Sequence, residues 1–317
     1  MKAFILGAGL GTRLAPLTHI LPKPLVPIFQ KPLIHHTLDH YIRAGISEFI
    51  INISCLPLMW ERAFPEPTYR GCAVHFSHED EPLDSGGGVK KIVPLMTSDE
   101  PLLVHNGDIL TDIPVSELLA EHRRAGNWVT LALRSVDGKR NVGFDAETGR
   151  ITDMRHALGV NPGTHQFAGV YIMEPCVAEM FPSEDKFSIV PIWLELIRRG
   201  KVGGVVFDWA SWHEIGSPQM YLDAVLEMSS RERIHPTARI APGADLGEDC
   251  VVGQDSVIPD GCVAHHSACF LVNRRNSRFP TNAEGSQELL RFLKVVGRFA
   301  VFHGFVITED FVQVGGI

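Results

Sequence analysis

The sequence predicts an α/β protein whose first domain carries an open, mainly parallel sheet covered by helices and whose second is a short parallel β-helix. Three observations predict it. The first two-thirds of the chain alternates short β-branched runs with amphipathic stretches, the rhythm of βαβ units. After residue 233 the pattern changes to a strict period of six. The 317 residues, 45% hydrophobic and 21% charged, are enough for two compact domains with full cores.

In chain order, residues 3–6 read as the first strand, 32–44 as a helix and 48–53 as the next strand. Further buried strands are expected at 72–76, 101–105, 128–134 and 201–207, and helices at 86–96, 114–125, 188–199 and 218–229. Such a sheet binds ligands beyond the carboxyl ends of its strands. In the period-six region Ile234, Ile240, Leu246, Val252, Ile258, Ala264 and Phe270 share one register, with the small residues Ala238, Ala244, Cys250, Ser256, Cys262 and Ala268 four places on. Hexapeptide repeats of this kind stack as a parallel β-helix, apolar residue inward and small residue at the corner. The expected boundaries are 1–230 for the α/β domain and 234–271 for the β-helix. Residues 272–287 read as a polar linker and 288–317 as an apolar tail of unassigned role.

Composition excludes several classes. Net charge is −8 and basic residues cluster only in pairs, so no nucleic-acid stripe is present. No run approaches the roughly 20 apolar residues of a membrane span, and residues 3–6 are too short for a signal peptide, so a cytoplasmic protein is expected. The six cysteines form no Cys-x-x-Cys pair and read as reduced thiols. Cys262-x-x-His265-His266-x-x-Cys269 resembles a zinc site, but Cys250 and Cys262 already occupy the small-residue slot of the repeat. His36 and His40, at helical spacing without a carboxylate partner, read as structural histidines.

Local positive charge gathers at the front of the chain, where Lys2, Arg13, Lys23 and Lys31 precede the first carboxylate, Asp39. There a strand runs into Gly7-Ala8-Gly9-Leu10-Gly11, glycines that allow close approach of backbone to a ligand. The dinucleotide fingerprint fails because Thr12 stands in place of its third glycine. A P-loop fails because no lysine follows Gly11. What remains is G-x-G-x-G-T-R-L followed by Pro22-Lys23-Pro24-Leu25.

This pattern resembles the sugar-1-phosphate nucleotidyltransferases. The resemblance runs from about residue 1 to 230 and is supported in order by "LDSGGGVKK" at 83–91, "HNGDIL" at 105–110 and "WHEIGSPQMY" at 212–221. The last is similar to the family's Trp-x-Asp-x-Gly motif, with Glu214 in place of the aspartate. "PKPLVPI" and "SGGGV" look closest to mannose-1-phosphate guanylyltransferases and N-acetylmuramate-1-phosphate uridylyltransferases. The repeats match the left-handed β-helix more usual in the former, which favours GTP over UTP. The resemblance implies a Rossmann-like three-layer domain and an enzyme that joins an NTP to a sugar 1-phosphate.

It also implies the roles of residues. In-line attack of the sugar phosphate on the α-phosphorus needs no protein nucleophile, so catalysis is positioning and charge stabilisation. Leu6, Gly7, Ala8, Gly9, Gly11, Thr12 and Arg13 are expected to hold the nucleotide, with loop amides cradling phosphate and Arg13 on the leaving pyrophosphate. Lys23, between two prolines, suits a bridge between the α-phosphate and the incoming phosphate. Asp108 and Glu214 are the expected Mg²⁺ ligands, although Asp108 could instead cap the next helix. Ser85, Gly86, Gly87 and Asn106 are expected at the nucleotide, and Gly143 and Gly169 at the sugar. Ala168 stands where relatives carry Ser or Thr. Two other classes remain open: a catalytically silent nucleotide-sugar-binding subunit, and a hexapeptide acyltransferase using His265 or His266. Self-association through the repeat or the tail is a further expectation.

Overall fold

The computed structural model describes residues 1–228 except Pro16, Phe29, Gln30, Ser98, Asp137, Lys139, Asn161 and Pro162. Beyond them it describes 233–247, 250–253, 257–258, 263–264, 268–270 and 300–301. These residues form two compact units: Met1–Leu10 with Ile34–His213, and Gly11–Leu33 with the described chain from Glu214 onward.

The first unit is built on a ten-stranded sheet. Its strands are β1 (Ala3–Leu6), β2 (Glu48–Ile53), β3 (Thr68–Tyr69), β4 (Cys72–His78), β5 (Leu102–Asn106), β6 (Val129–Arg134), β7 (Val142–Asp145), β8 (Arg150–Met154), β9 (Gln166–Met173) and β10 (Val202–Val206). Their order across the sheet is β7-β8-β10-β6-β9-β5-β1-β2-β4-β3. Parallel pairing joins β1 to both β2 and β5, β2 to β4, and β6 to β10. The sheet is nevertheless mixed. β9 is antiparallel to both of its neighbours, β5 and β6, while β3 and β8 also run against the majority. The expected strands all form, but β3, β7, β8 and β9 were not expected as strands. In β9 a register shift between Phe167 and Tyr171, with Gly169 at φ +81°, breaks the alternation that marks a strand.

Helices α1 (Leu33–Arg43), α2 (Pro57–Ala63), α3 (Asp84–Ile92), α4 (Val115–Ala125) and α5 (Val190–Arg198) fill the connections. Apolar spacing decides which face each buries. Ile34, Leu38 and Tyr41 on α1, like Ile189, Trp193, Leu196 and Ile197 on and beside α5, recur every three or four residues and are buried. The core centres on β1, β5, β6 and β9 with Trp193 among them. Chain order reverses at β1, because β2 and β4 lie on one side of it and β5 on the other. That reversal is where an open α/β sheet leaves a crevice.

In the second unit, residues 11–33 form short 3₁₀ turns at Thr12–Leu14, Leu17–His19 and Lys23–Leu25, then a two-residue antiparallel pairing of Pro27–Ile28 with Lys31–Pro32. Tyr221 of the helix Pro218–Met228 donates its hydroxyl to the Pro27 carbonyl. Further on, Arg239–Ile240 pairs in parallel with Val257–Ile258, and Asp245–Leu246 with Val263–Ala264. The expected linker, nearly all of the expected tail, and His265 and His266 lie outside the described residues. Among the described residues no helix is long and apolar enough to cross a membrane.

Candidate active site

Leu6, the last residue of β1, pairs with Asn52 on one side and Asn106 on the other, and its carbonyl accepts the Gly107 amide at 3.0 Å. The glycine loop and the turn carrying Asp108 therefore leave neighbouring parallel strands side by side. Gly7 is buried, and a Cβ there would lie 2.7 Å from the Asn52 carbonyl oxygen. Its amide donates to Asn52 Oδ1 at 2.7 Å, and Asn52 Nδ2 donates to Glu79 Oε1 at 2.8 Å. Glu79 Oε2 then accepts the Leu83 amide at 2.9 Å, at the start of α3. This buried chain of bonds fixes the root of the loop to the glycine-rich helix. Sequence reasoning missed Asn52 and Glu79; the one visible signal is Asn52 itself, a polar residue inside the otherwise apolar run 49–53. Ala8 is tied through its carbonyl to Ser54 Oγ, while Gly9 and Leu10 are exposed and a Cβ at Gly9 would meet nothing within 4 Å.

Asp108 occupies a two-residue turn between β5 and the strand Ile109–Thr111 and is half-buried. It does not cap α4, whose N-cap is Pro114. The turn is pinned from beneath by His105, which is 1% exposed. His105 Nε2 donates to the Ile109 carbonyl at 2.9 Å, so Nδ1 is the acceptor for the Tyr41 hydroxyl at 2.6 Å. Burial lowers the His105 pKa to about 4 and keeps the ring neutral.

Ser85 and Asn106, with Leu6, line a cavity of about 390 Å³ that also takes in Val142, Arg155, Phe167 and Trp193. That size suits a small ligand. Among the described residues its lining holds one carboxylate, Asp84, and one guanidinium, Arg155. Both have left-handed backbone, φ 64° and 56°, which for a non-glycine residue costs about 1–2 kcal/mol each. Strained residues of this kind gather at ligand sites. Arg155 was not expected from sequence. Gly86 and Gly87 have a different surrounding: both amides donate to the Phe187 carbonyl, and a Cβ on either would overlap residues 185–187. Gly143 pairs opposite Asp153 at the register shift between β7 and β8. A Cβ on Gly169 would lie 2.6 Å from the Ile109 side chain and 3.3 Å from Asn106 Nδ2. Ala168 is fully buried, and its carbonyl accepts Trp212 Nε1 at 2.8 Å while the Arg134 guanidinium lies over the Trp212 ring.

In the second unit Gly11 caps the turn Thr12–Leu14 with φ +62°. Its carbonyl accepts Thr18 Oγ1 at 3.0 Å, and a Cβ on it would lie 3.3 Å from that of Lys23. Lys23 is half-buried beside this turn, whereas Thr12 and Arg13 are exposed. Arg13 Nη2 stands 3.5 Å from Glu214 Oε1, and Gly216 leaves room beside that oxygen, which a Cβ would approach to 3.0 Å.

The nucleotidyl transferase family matches residues 2–231. The chain belongs to that family. It is a sugar-1-phosphate nucleotidyltransferase. Mannose-1-phosphate guanyltransferase beta-B of Xenopus laevis is 30% identical over 271 residues, spanning 79% of this chain and 74% of that protein. Probable mannose-1-phosphate guanylyltransferase 3 of Oryza sativa subsp. japonica is 28% identical over 99% of this chain and 92% of that protein. The nucleotidyl transferase also shares its fold with HddC from Yersinia pseudotuberculosis, solved with GMP-PN. The TM-score is 0.59 and the identity 23%, over 72% of this chain and 99% of that one. A putative glucose-1-phosphate thymidylyltransferase from Bacillus anthracis, in complex with a sucrose, matches with TM-score 0.62 and 18% identity over 73% and 96%.

Proposed function

We propose that the chain joins GTP to a hexose 1-phosphate, mannose 1-phosphate being the first candidate, to give a GDP-sugar and pyrophosphate. The observation that carries the site is the junction at Leu6, where the glycine loop and the Asp108 turn leave adjacent parallel strands beside a cavity that includes Ser85 and Asn106. The guanylyltransferase relatives, at 27–30% identity, support the choice of base and sugar.

The sugar phosphate oxygen attacks the α-phosphorus and pyrophosphate leaves, so the protein supplies position and charge. Amides of Leu10, Gly11 and Thr12 cradle the phosphates, with the open space over Gly9 receiving the nucleotide. Arg13 turns onto the leaving pyrophosphate, and exchanging its loose, exposed contact with Glu214 for a phosphate costs little. Lys23 bridges the two reacting phosphates. Arg155 meets the phosphate of the incoming sugar from the cavity wall. Asp108 and Glu214 are the carboxylates for Mg²⁺, an ion that needs only one or two carboxylates beside the substrate phosphates. When bound, it neutralises phosphate charge. Among the described residues no group of three or more His, Cys, Asp or Glu side chains is arranged to hold a metal, and a pair is what this chemistry asks for. Residues 234–271 form a left-handed β-helix serving stability or self-association in a cytoplasmic enzyme. The parallel pairings Arg239 to Val257 and Asp245 to Val263, three hexads apart, support that reading.

Pyrophosphate release across GTP, UTP, dTTP, CTP and ATP with mannose, glucose and N-acetylmuramate 1-phosphates tests the proposal, with GTP and mannose 1-phosphate expected to be fastest. Glu214→Asp keeps substantial activity, whereas Glu214→Gln and Asp108→Asn each lose about 10²-fold or more. A Glu214→Gln variant matching the parent at limiting Mg²⁺ would remove Glu214 from the metal site. Silence with every pair would return the chain to a regulatory role.

A further inference from the structure

We infer that Asp153 is a positioning residue for the sugar phosphate, acting through Arg155; this rests on the reading that Arg155, in the cavity wall, meets that phosphate. Asp153, near the end of β8, is fully buried. Its Oδ1 accepts the Leu158 amide at 3.0 Å and its Oδ2 the Val160 amide at 2.9 Å, with His156 Nδ1 at 3.9 Å. One carboxylate thereby closes the turn 155–160 onto the hairpin of β7 and β8. Bonds from amides to an ionised acceptor are roughly twice as strong as neutral ones, and a buried carboxylate has no water to replace them.

Within this turn Arg155 and His156 both take φ 56°, a conformation that non-glycine residues hold only where their surroundings impose it. The Arg155 amide donates to the Asn141 carbonyl at 2.6 Å, which completes the imposed geometry. The outcome is that the one cationic side chain lining the cavity among the described residues stands in its wall, on an exposed stretch that has no helix or strand of its own to hold it. Asp153 is too buried to meet the substrate. What it supplies is the backbone path that carries a positive charge to the cavity.

The test is a double-mutant cycle on the full chain, using the NTP and sugar 1-phosphate that release pyrophosphate fastest. Asp153→Asn is expected to raise the KM for the sugar phosphate about tenfold or more while the KM for the NTP stays within about twofold. Arg155→Ala should do the same, and the double variant should be no worse than Arg155→Ala alone. Adding His156→Gly to Asp153→Asn, so that a glycine occupies one strained position, should restore part of the lost affinity. Should Asp153→Asn not be recovered folded, Asp153→Glu takes its place in the cycle. If Arg155→Ala raises the sugar-phosphate KM but the Asp153 effect is additive with it, or raises both KM values equally, Asp153 is merely structural and the inference falls while the cavity reading stands. If Arg155→Ala leaves the sugar-phosphate KM unchanged, the cavity reading itself is wrong.

Discussion

Two glycine-rich stretches look alike in this sequence and differ in the folded chain. In the loop after β1, Gly9 borders open space, and a Cβ there would meet nothing within 4 Å. In α3, Gly86 and Gly87 are pressed against Phe187 and Asp185, and Gly88 against Asn52. At Gly9 the missing Cβ borders open space, whereas at Gly86 and Gly87, as at Gly7 and Gly11, it lets two segments of chain meet. Both were expected to hold nucleotide. The difference teaches that a glycine run near a phosphate loop is evidence of close approach, while what approaches is decided by packing partners distant in sequence.

The comparison is broken or sharpened by substitutions on each side. On the ligand side the largest effect belongs to Lys23, where Lys23→Ala should lower turnover about 10²–10³-fold with NTP affinity and stability little changed. Single-turnover kinetics beside a nucleotide titration would check it, and equal losses in both would make Lys23 a plain binding lysine. On the packed side, Gly87→Ala forces a methyl into the Asp185 carbonyl and should cost about 1–3 kcal/mol of stability, read by urea unfolding. Gly9→Ala is the mirror image. It should leave unfolding within about 0.5 kcal/mol of the parent yet raise the KM for NTP about tenfold. A destabilised Gly9→Ala, or a Gly87→Ala that loses only activity, would erase the distinction.

The smallest effect concerns the Asp108 turn, which is held by a buried imidazole. His105 titrates near 6.5 when unfolded and at about 4 when folded, so between those values the unfolded chain binds the extra proton and stability falls as pH falls. From pH 7 to pH 6 this group alone should remove under about 1 kcal/mol, and Tyr41→Phe/His105→Gln should flatten that slope.

Much of the first unit was legible in the sequence because its central strands are continuous apolar runs and its helices carry regular apolar spacing. β9 was not legible as a strand, since the bulge around Gly169 disguises its period. The glycine loop, Lys23, Asp108 and Glu214 enter the candidate site by motif, whereas Asn52, Glu79, His105 and Arg155 come from the structure alone. Each of these acts through a partner far along the chain or a backbone conformation that no short pattern encodes.

The antiparallel strand β9 has a consequence for how the chain is made. Residues 1–106 complete the half-sheet β3-β4-β2-β1-β5, and β6 forms before β9 but lies beyond it, so β5 remains an open edge until Met173 has been synthesised. At ribosomal speeds that interval lasts roughly 3–13 s. For those seconds a nascent chain offers the unpaired, wholly apolar strand Leu102–Val104 to any neighbour able to add a strand. A pause in translation between residues 106 and 173 is therefore expected to prolong the exposure of that edge, whatever the final stability of the sheet.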